Sequence, residues 1–155
     1  MSNSKTDDLQ KARNYAFLLL KFRPRSEKEI CERLKRKRFD AGVIRLTLGF
    51  LKEKNFINDS DFSRSWVESR LSKRLGAKRI RQELRLKGID KEVIESQLGE
   101  FKDSFPEDKI VRDIAREKMK RFSNIEPQKA KRRIYGYLMR RGFSAGIIMD
   151  ILRQL

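Results

Sequence analysis

Apolar side chains recur along this chain at one set of offsets, stated three times. With Leu84 as origin, Ile80 lies four residues before it, and Gly88, Ile89, Asp90, Val93, Ile94 and Leu98 follow. Around Leu34 the same offsets give Ile30, Phe39, Asp40, Val43, Ile44 and Leu48, and around Leu138 they give Ile134, Gly142, Phe143, Ser144, Ile147, Ile148 and Leu152. An i, i+4 apolar pair followed by a glycine predicts a short amphipathic helix closed by a left-handed residue. A second helix starts at once. Asp90, Asp40 or Ser144 stands as its N-cap, with a side-chain oxygen placed to accept from a free amide of the first turn. The apolar residue before each cap staples onto one five positions later: Ile89 on Ile94, Phe39 on Ile44, Phe143 on Ile148. From Leu34 to Leu84 to Leu138 the spacings are 50 and 54 residues, which suits stacked helical units.

A further helix precedes each pair. In the first unit Ala12, Tyr15, Ala16, Leu19 and Leu20 recur at helical spacing through Phe22, Pro24 ends the run, and Ser26 with Glu29 forms an S-x-x-E capping box for the helix of Ile30 and Leu34. Arg38 stands where the other units have Gly88 and Gly142, so this helix end is either strained or closed differently. The second unit opens at Asn58, a cap with Ile57 stapling onto Phe62, and its inward side includes Phe62, Trp66 and Leu71 before Gly76 breaks the helix. The third follows a turn-rich linker from Phe101 to Pro106 and places Ile110, Ile114, Ala115, Met119 and Phe122 on one side, with Pro127 suited to the first turn of the next helix. The expected fold is all-α, with three tandem three-helix repeats in an elongated array. Residues 1–10 are expected to be a loose polar segment, with repeats over 11–56, 57–103 and 104–155.

Composition sharpens this picture. With 38% apolar and 39% charged residues there is little for a single deep core, which favours an array of shallow ones. A formal net charge of +17 and a pI near 10.4 attract polyanions, nucleic acid first. No apolar run approaches a bilayer span and MSNSKTDDLQ has no hydrophobic signal region, so the protein is expected to be soluble, cytoplasmic, off the membrane and monomeric. The single cysteine, Cys31, excludes an internal disulfide, and with no histidine there is no ordinary zinc site or imidazole base. Asp59, Asp61 and Glu68 suggest a metal, but Asn58 to Asp61 already serves as a helix start and no second acidic cluster completes a two-metal arrangement. No glycine-rich phosphate loop and no partnered nucleophile occur either, so an enzyme and a bound cofactor are not expected.

The charge is concentrated. From Arg70 to Lys87 eight basic residues, Arg70, Lys73, Arg74, Lys78, Arg79, Arg81, Arg85 and Lys87, face one acid, Glu83. Lys78, Arg81 and Arg85 fall at i, i+3, i+7, away from Ile80 and Leu84, and predict a solvent-facing positive stripe. The third unit adds Arg132, Arg133, Arg140 and Arg141. The exposed face of the central helix carries Gln82 as its one amide, which favours backbone contact over base reading.

The segments RPRSEKEICERLKRKRF, INDSDFSRSWVESR, LGAKRIRQELRLKGID and YLMRRGFSAGII, in this order and across nearly the whole chain, resemble the RecX family of bacterial recombination regulators. The resemblance implies three tandem three-helix units in a curved rod, seated in the groove of the RecA filament on single-stranded DNA. There it would inhibit RecA strand exchange and ATP hydrolysis or alter filament growth, in DNA repair and recombination. The twelve basic residues named above are then the expected filament- or DNA-binding positions. The alternative is a general nucleic-acid-binding helical protein whose turns act as helix-turn-helix readers.

Overall fold

The computed structural model describes residues 2–155, and among them every regular element is helical. The helices are α1 (Ser2–Phe22), α2 (Glu27–Arg36), α3 (Ala41–Glu53), α4 (Asp59–Ser72), α5 (Ala77–Leu86), α6 (Lys91–Phe101), α7 (Glu107–Arg121), α8 (Pro127–Arg140) and α9 (Ala145–Arg153). They pack in threes, α1–α3, α4–α6 and α7–α9, each three enclosing its own core. Ile30, Leu34, Ile80, Leu84, Ile134 and Leu138 are all fully buried, and they are the repeated i, i+4 pairs of the three middle helices. Burial is therefore local to each unit. The accessible area, 10335 Å² for 18.5 kDa, exceeds the roughly 8,200 Å² of a compact monomer of that mass, as an extended row requires.

The predicted caps are present, with two differences. Ser26 and Glu29 close a capping box, and Asn58 accepts from Asp61 N at 3.1 Å. Asp90 and Ser144 occupy the N-cap positions of α6 and α9, yet neither side chain bonds to the helix. At Ser144 the backbone amide is held instead by Glu107 Oε1 of α7 at 2.9 Å. Asp90 still places a carboxylate at the positive end of α6. The first helix also begins earlier than its polar composition suggests. Residues 2–10, expected to be loose, are helical: no glycine or proline interrupts 2–22, Lys11 pairs with Asp7 at 2.9 Å, Gln10 donates to Asn14 at 2.9 Å, and Leu9 packs on the first core. Met1 lies outside the described residues.

All three middle helices close with the same left-handed turn. Phe39, Ile89 and Phe143 amides donate to Leu34, Leu84 and Leu138 carbonyls at 3.3, 3.1 and 3.2 Å, the six-to-one bond of a Schellman ending, and each pair is also an apolar contact. Arg38 adopts φ 64° where Gly88 has 78° and Gly142 has 90°. The first unit thus closes like the others and accepts the strain of a side chain in this region.

Neighbouring units explain why the other two positions are glycine. The end of α5 abuts the start of α2, and the end of α8 abuts the start of α5. Ser26 Oγ donates to Lys87 O at 2.7 Å, Lys28 Nζ to Leu86 O at 3.2 Å, and the Glu27 amide to Asp59 Oδ1 at 2.9 Å. One junction further on, Gly76 N donates to Arg141 O at 2.8 Å and Lys78 N to Gly142 O at 3.1 Å. A Cβ on Gly88 would lie 2.6 Å from Lys28 Cβ, one on Gly142 would lie 2.5 Å from Arg79 N, and one on Gly76 would collide with the Gly142 carbonyl. No unit docks at Arg38, and a side chain fits there.

Gly142→Ala should therefore lower the unfolding free energy by at least about 3 kcal/mol, because a left-handed Cβ and a backbone collision must both be absorbed. Arg38→Gly, at an undocked turn, should change it by no more than about 1 kcal/mol in either direction. Urea unfolding followed by circular dichroism checks the contrast, and equal effects would sink the docking explanation.

Candidate nucleic-acid interface

The twelve basic positions divide into charges consumed by the fold and charges left over. Glu83 on α5 is a hub: its Oε2 accepts from Trp66 Nε1 at 3.0 Å and Arg70 Nε at 2.9 Å, and its Oε1 from Arg79 Nε at 3.3 Å. Half-buried Trp66 in turn carries the Arg70 guanidinium at 4.2 Å and Lys87 Nζ at 4.6 Å from its ring centroid. Lys87 also reaches Glu29 Oε1 of the first unit at 3.6 Å. Arg81 grips Glu95 of α6 with two bonds, 2.7 and 3.2 Å, and Arg74 grips Glu117 of α7 at 3.1 and 3.2 Å. Arg141 donates to the Lys73 and Arg74 carbonyls at the end of α4. Bidentate pairs and carbonyl tethers of this kind hold a guanidinium in one geometry.

The predicted stripe on α5 is accordingly incomplete. Arg81 belongs to a pair across α5 and α6, so the run from Arg70 to Lys87 is more opposed than its single acid implied, through Glu29, Glu95 and Glu117 from elsewhere. Lys73, Lys78, Arg85, Arg132, Arg133 and Arg140 remain. They are exposed, and none meets a carboxylate among the described residues. The structure brings three of them together: Arg132, Arg133 and Arg140 line one cavity of about 370 Å³ between α7 and α8, with Lys118 completing the set. Lys118 escaped the reading of the sequence because it lies on a different helix from the arginines.

Pairing marks the acids as well. The hydrogen bond from Arg81 holds Glu95 below the usual carboxyl range, and that from Arg74 does the same for Glu117. Burial pushes Glu29 up, but the Arg23 hydrogen bond, the Ser26 amide and Lys87 outweigh it, and the group titrates low. Asp59 moves the other way, raised chiefly by burial at the same junction.

These observations define a class first, a helical repeat protein of three docked three-helix units with patches of unpaired positive charge. The comparisons assign it further. Family models described as the first, second and third three-helix domains of RecX match residues 12–51, 58–98 and 107–152. A protein named Regulatory protein RecX from Amycolatopsis mediterranei is 33% identical over 94% of this chain and 83% of its own. One of the same name from Mycobacterium sp. (strain JLS) is 35% identical over 92% and 80%. The crystal structure of RecX from Lactobacillus salivarius superposes with a TM-score of 0.84 at 26% identity, covering 97% of both chains. The chain belongs to the RecX family.

Glu29→Gln should cost about 1–2 kcal/mol at neutral pH by weakening the capping box and the partly buried pairs with Arg23 and Lys87. A depressed carboxyl stabilises the fold above its unfolded value, 4.5, and that contribution is lost as pH falls through the lower folded value. Thermal melts should show the gap between wild type and variant constant from pH 7 to 5 and closing only in stronger acid. A gap already closed at pH 5 would mean that Glu29 is not held low.

Proposed function

We propose that this protein is a non-enzymatic regulator that acts, as a cytoplasmic monomer, on the RecA filament assembled on single-stranded DNA, lowering ATP hydrolysis and strand exchange and altering filament growth. The observation that carries the reading is the match to the RecX family through all three units in order, together with relatives named as regulatory proteins. The geometry is consistent with it. Unpaired cations on units two and three attract DNA phosphate and acidic protein surface, and an extended row offers a long face to a filament groove. No helix of the described residues is long and apolar enough to cross a membrane.

Added to RecA on single-stranded DNA, the purified protein should reduce ATP hydrolysis at substoichiometric ratios and strand exchange at higher ones. Unchanged RecA activity at saturation, with tight binding to one defined duplex sequence, would hand the assignment to a helix-turn-helix reader. Within the filament reading, reversing Lys78 and Arg85 to Glu should preserve the fold and weaken filament binding several-fold at low salt, by a margin that shrinks as salt rises. Reversing Lys5 and Lys21 on α1 changes net charge equally and should have a smaller effect.

A further inference from the structure

One groove recurs in every unit, between the middle and third helices. In the first unit it measures about 510 Å³, and Cys31 of α2 lines it with Arg45, Leu48, Gly49 and Lys52 of α3. At the repeat offset of 50 residues, Arg81, Glu95, Leu98, Gly99 and Lys102 line a cleft of about 690 Å³ in the second unit. A further 54 residues on, Tyr135, Met149, Leu152 and Arg153 line one of about 300 Å³ in the third.

The three differ in what covers them. In the second unit the chain supplies a wall of its own, residues 101–108: the Phe101 and Phe105 rings, 6.2 Å apart, pack on the second core, with Asp103, Glu107 and Asp108 beside the cleft. Arg81 and Glu95 bridge its mouth. In the third unit Tyr135 and Met149 replace Cys31 and Arg45, and Arg153 replaces the glycine, so larger side chains occupy the space. The first unit has neither device. Among the described residues none after Lys52 lines its groove, because Phe56 turns instead to Phe17 and Phe50 on the α1 side, at 5.0 and 6.3 Å. Gly49 is a second pointer. It stands inside α3, where glycine is disfavoured, without a positive φ and with nothing within 4 Å of a would-be Cβ. Neither backbone conformation nor close packing requires it; what it provides is room beside Leu48.

We infer that the α2–α3 groove of the first unit docks a short acidic segment of a partner protein, with an apolar side chain over Leu48 and Gly49 and carboxylates against Lys35 and Arg45. Charge selects this occupant. Where the second groove neutralises itself with Arg81 and Glu95, the first sets Arg45 opposite an uncharged Cys31, and exposed Lys35 and Arg45 meet no carboxylate among the described residues. The chain also contains a pattern for the occupant, since residues 101–108 place two phenylalanines and three acids along the wall of the equivalent cleft. A floor of Phe39, Ile44 and Leu48 with only two free cations suits a side-chain anchor flanked by carboxylates rather than a phosphate backbone. The inference stands apart from the filament reading, since its probe contains neither RecA nor nucleic acid.

The probe is the chain's own sequence EFKDSFPED, residues 100–108, as a peptide with blocked ends, titrated into the isotope-labelled full chain and followed by backbone amide shifts. The largest shifts should fall on Cys31, Arg45 and Gly49, with little change at Gly99. Gly49→Leu fills the groove without changing charge, and because it removes a glycine from a helix the melting midpoint should be kept or raised; it should raise the peptide's Kd about fivefold or more. Gly99→Leu, the matched change in the second unit, should raise it less than about twofold. Arg45→Glu, which installs the second unit's residue at an exposed position, should also raise Kd about fivefold or more at low salt. If Gly49→Leu unfolds the protein, Arg45→Glu decides alone. Wild-type affinity in a folded Gly49→Leu, equal losses in the two glycine variants, or shifts spread over the basic surface without a maximum at the groove would each overturn the inference. Displacement of the peptide by a ten-nucleotide oligo(dT) that shifts the same amides would overturn it in favour of nucleic acid.

Discussion

The contact on which the molecule depends is the end of one middle helix resting on the start of another. A helix end presents carbonyls without partners and a helix start presents amides without partners, with partial charges of opposite sign. Bringing α8 onto α5 and α5 onto α2 lets each junction satisfy the other side, as in the Gly76 amide on the Arg141 carbonyl and the Ser26 hydroxyl on the Lys87 carbonyl. At the α8–α5 junction the two backbones themselves touch, which requires Gly76 and Gly142, while at the α5–α2 junction Gly88 leaves room for the Lys28 side chain. The unit order, the separate cores and the surface left for binding all follow from this end-on docking.

Docking also decides what the positive charge is for. A net charge of +17 would be spread over the surface if acids and bases were paired at random. Instead particular acids tie down particular bases: Glu29 between units one and two, Glu117 between two and three, Glu95 and Glu83 within the second unit. Each immobilises one or more of the basic residues beside it. The cations without such partners are therefore free to exchange water and counterions for phosphate at little structural cost, and the reduced charge of the joints keeps like charges from forcing the units apart.

Much of this was legible in the sequence because it is local. Repeated i, i+4 pairs, the staple at each turn and the caps at Ser26 and Asn58 are relations within eight residues, and short-range periodicity reports them directly. Arg38 could be placed at a helix end but not resolved, since whether a left-handed turn needs glycine depends on what docks against it. The pairing of Arg81 with Glu95 and Arg74 with Glu117 spans 14 and 43 residues and leaves no periodic trace, so the α5 stripe looked more uniform than it is. The same applies to the cavity of the third unit, whose Lys118 and Phe122 come from one helix and whose arginines come from the next. The start of α1 was obscured by composition: Asn3 to Gln10 is polar but for Leu9, and its helicity rests on side-chain pairs and that one apolar residue.

The direction of docking sets an order of events during synthesis. The first and second units each offer the start of their middle helix to the turn of the unit that follows in the chain, so the surface completed last on either waits for a segment the ribosome has not yet released. Ser26 waits 61 residues for the carbonyl of Lys87. A nascent first unit can close its own core, since its contacts lie within some fifty residues, yet it leaves the tunnel with the amide end of α2 uncovered. Assembly then proceeds as a relay, each newly emerged turn covering the helix start exposed just before it.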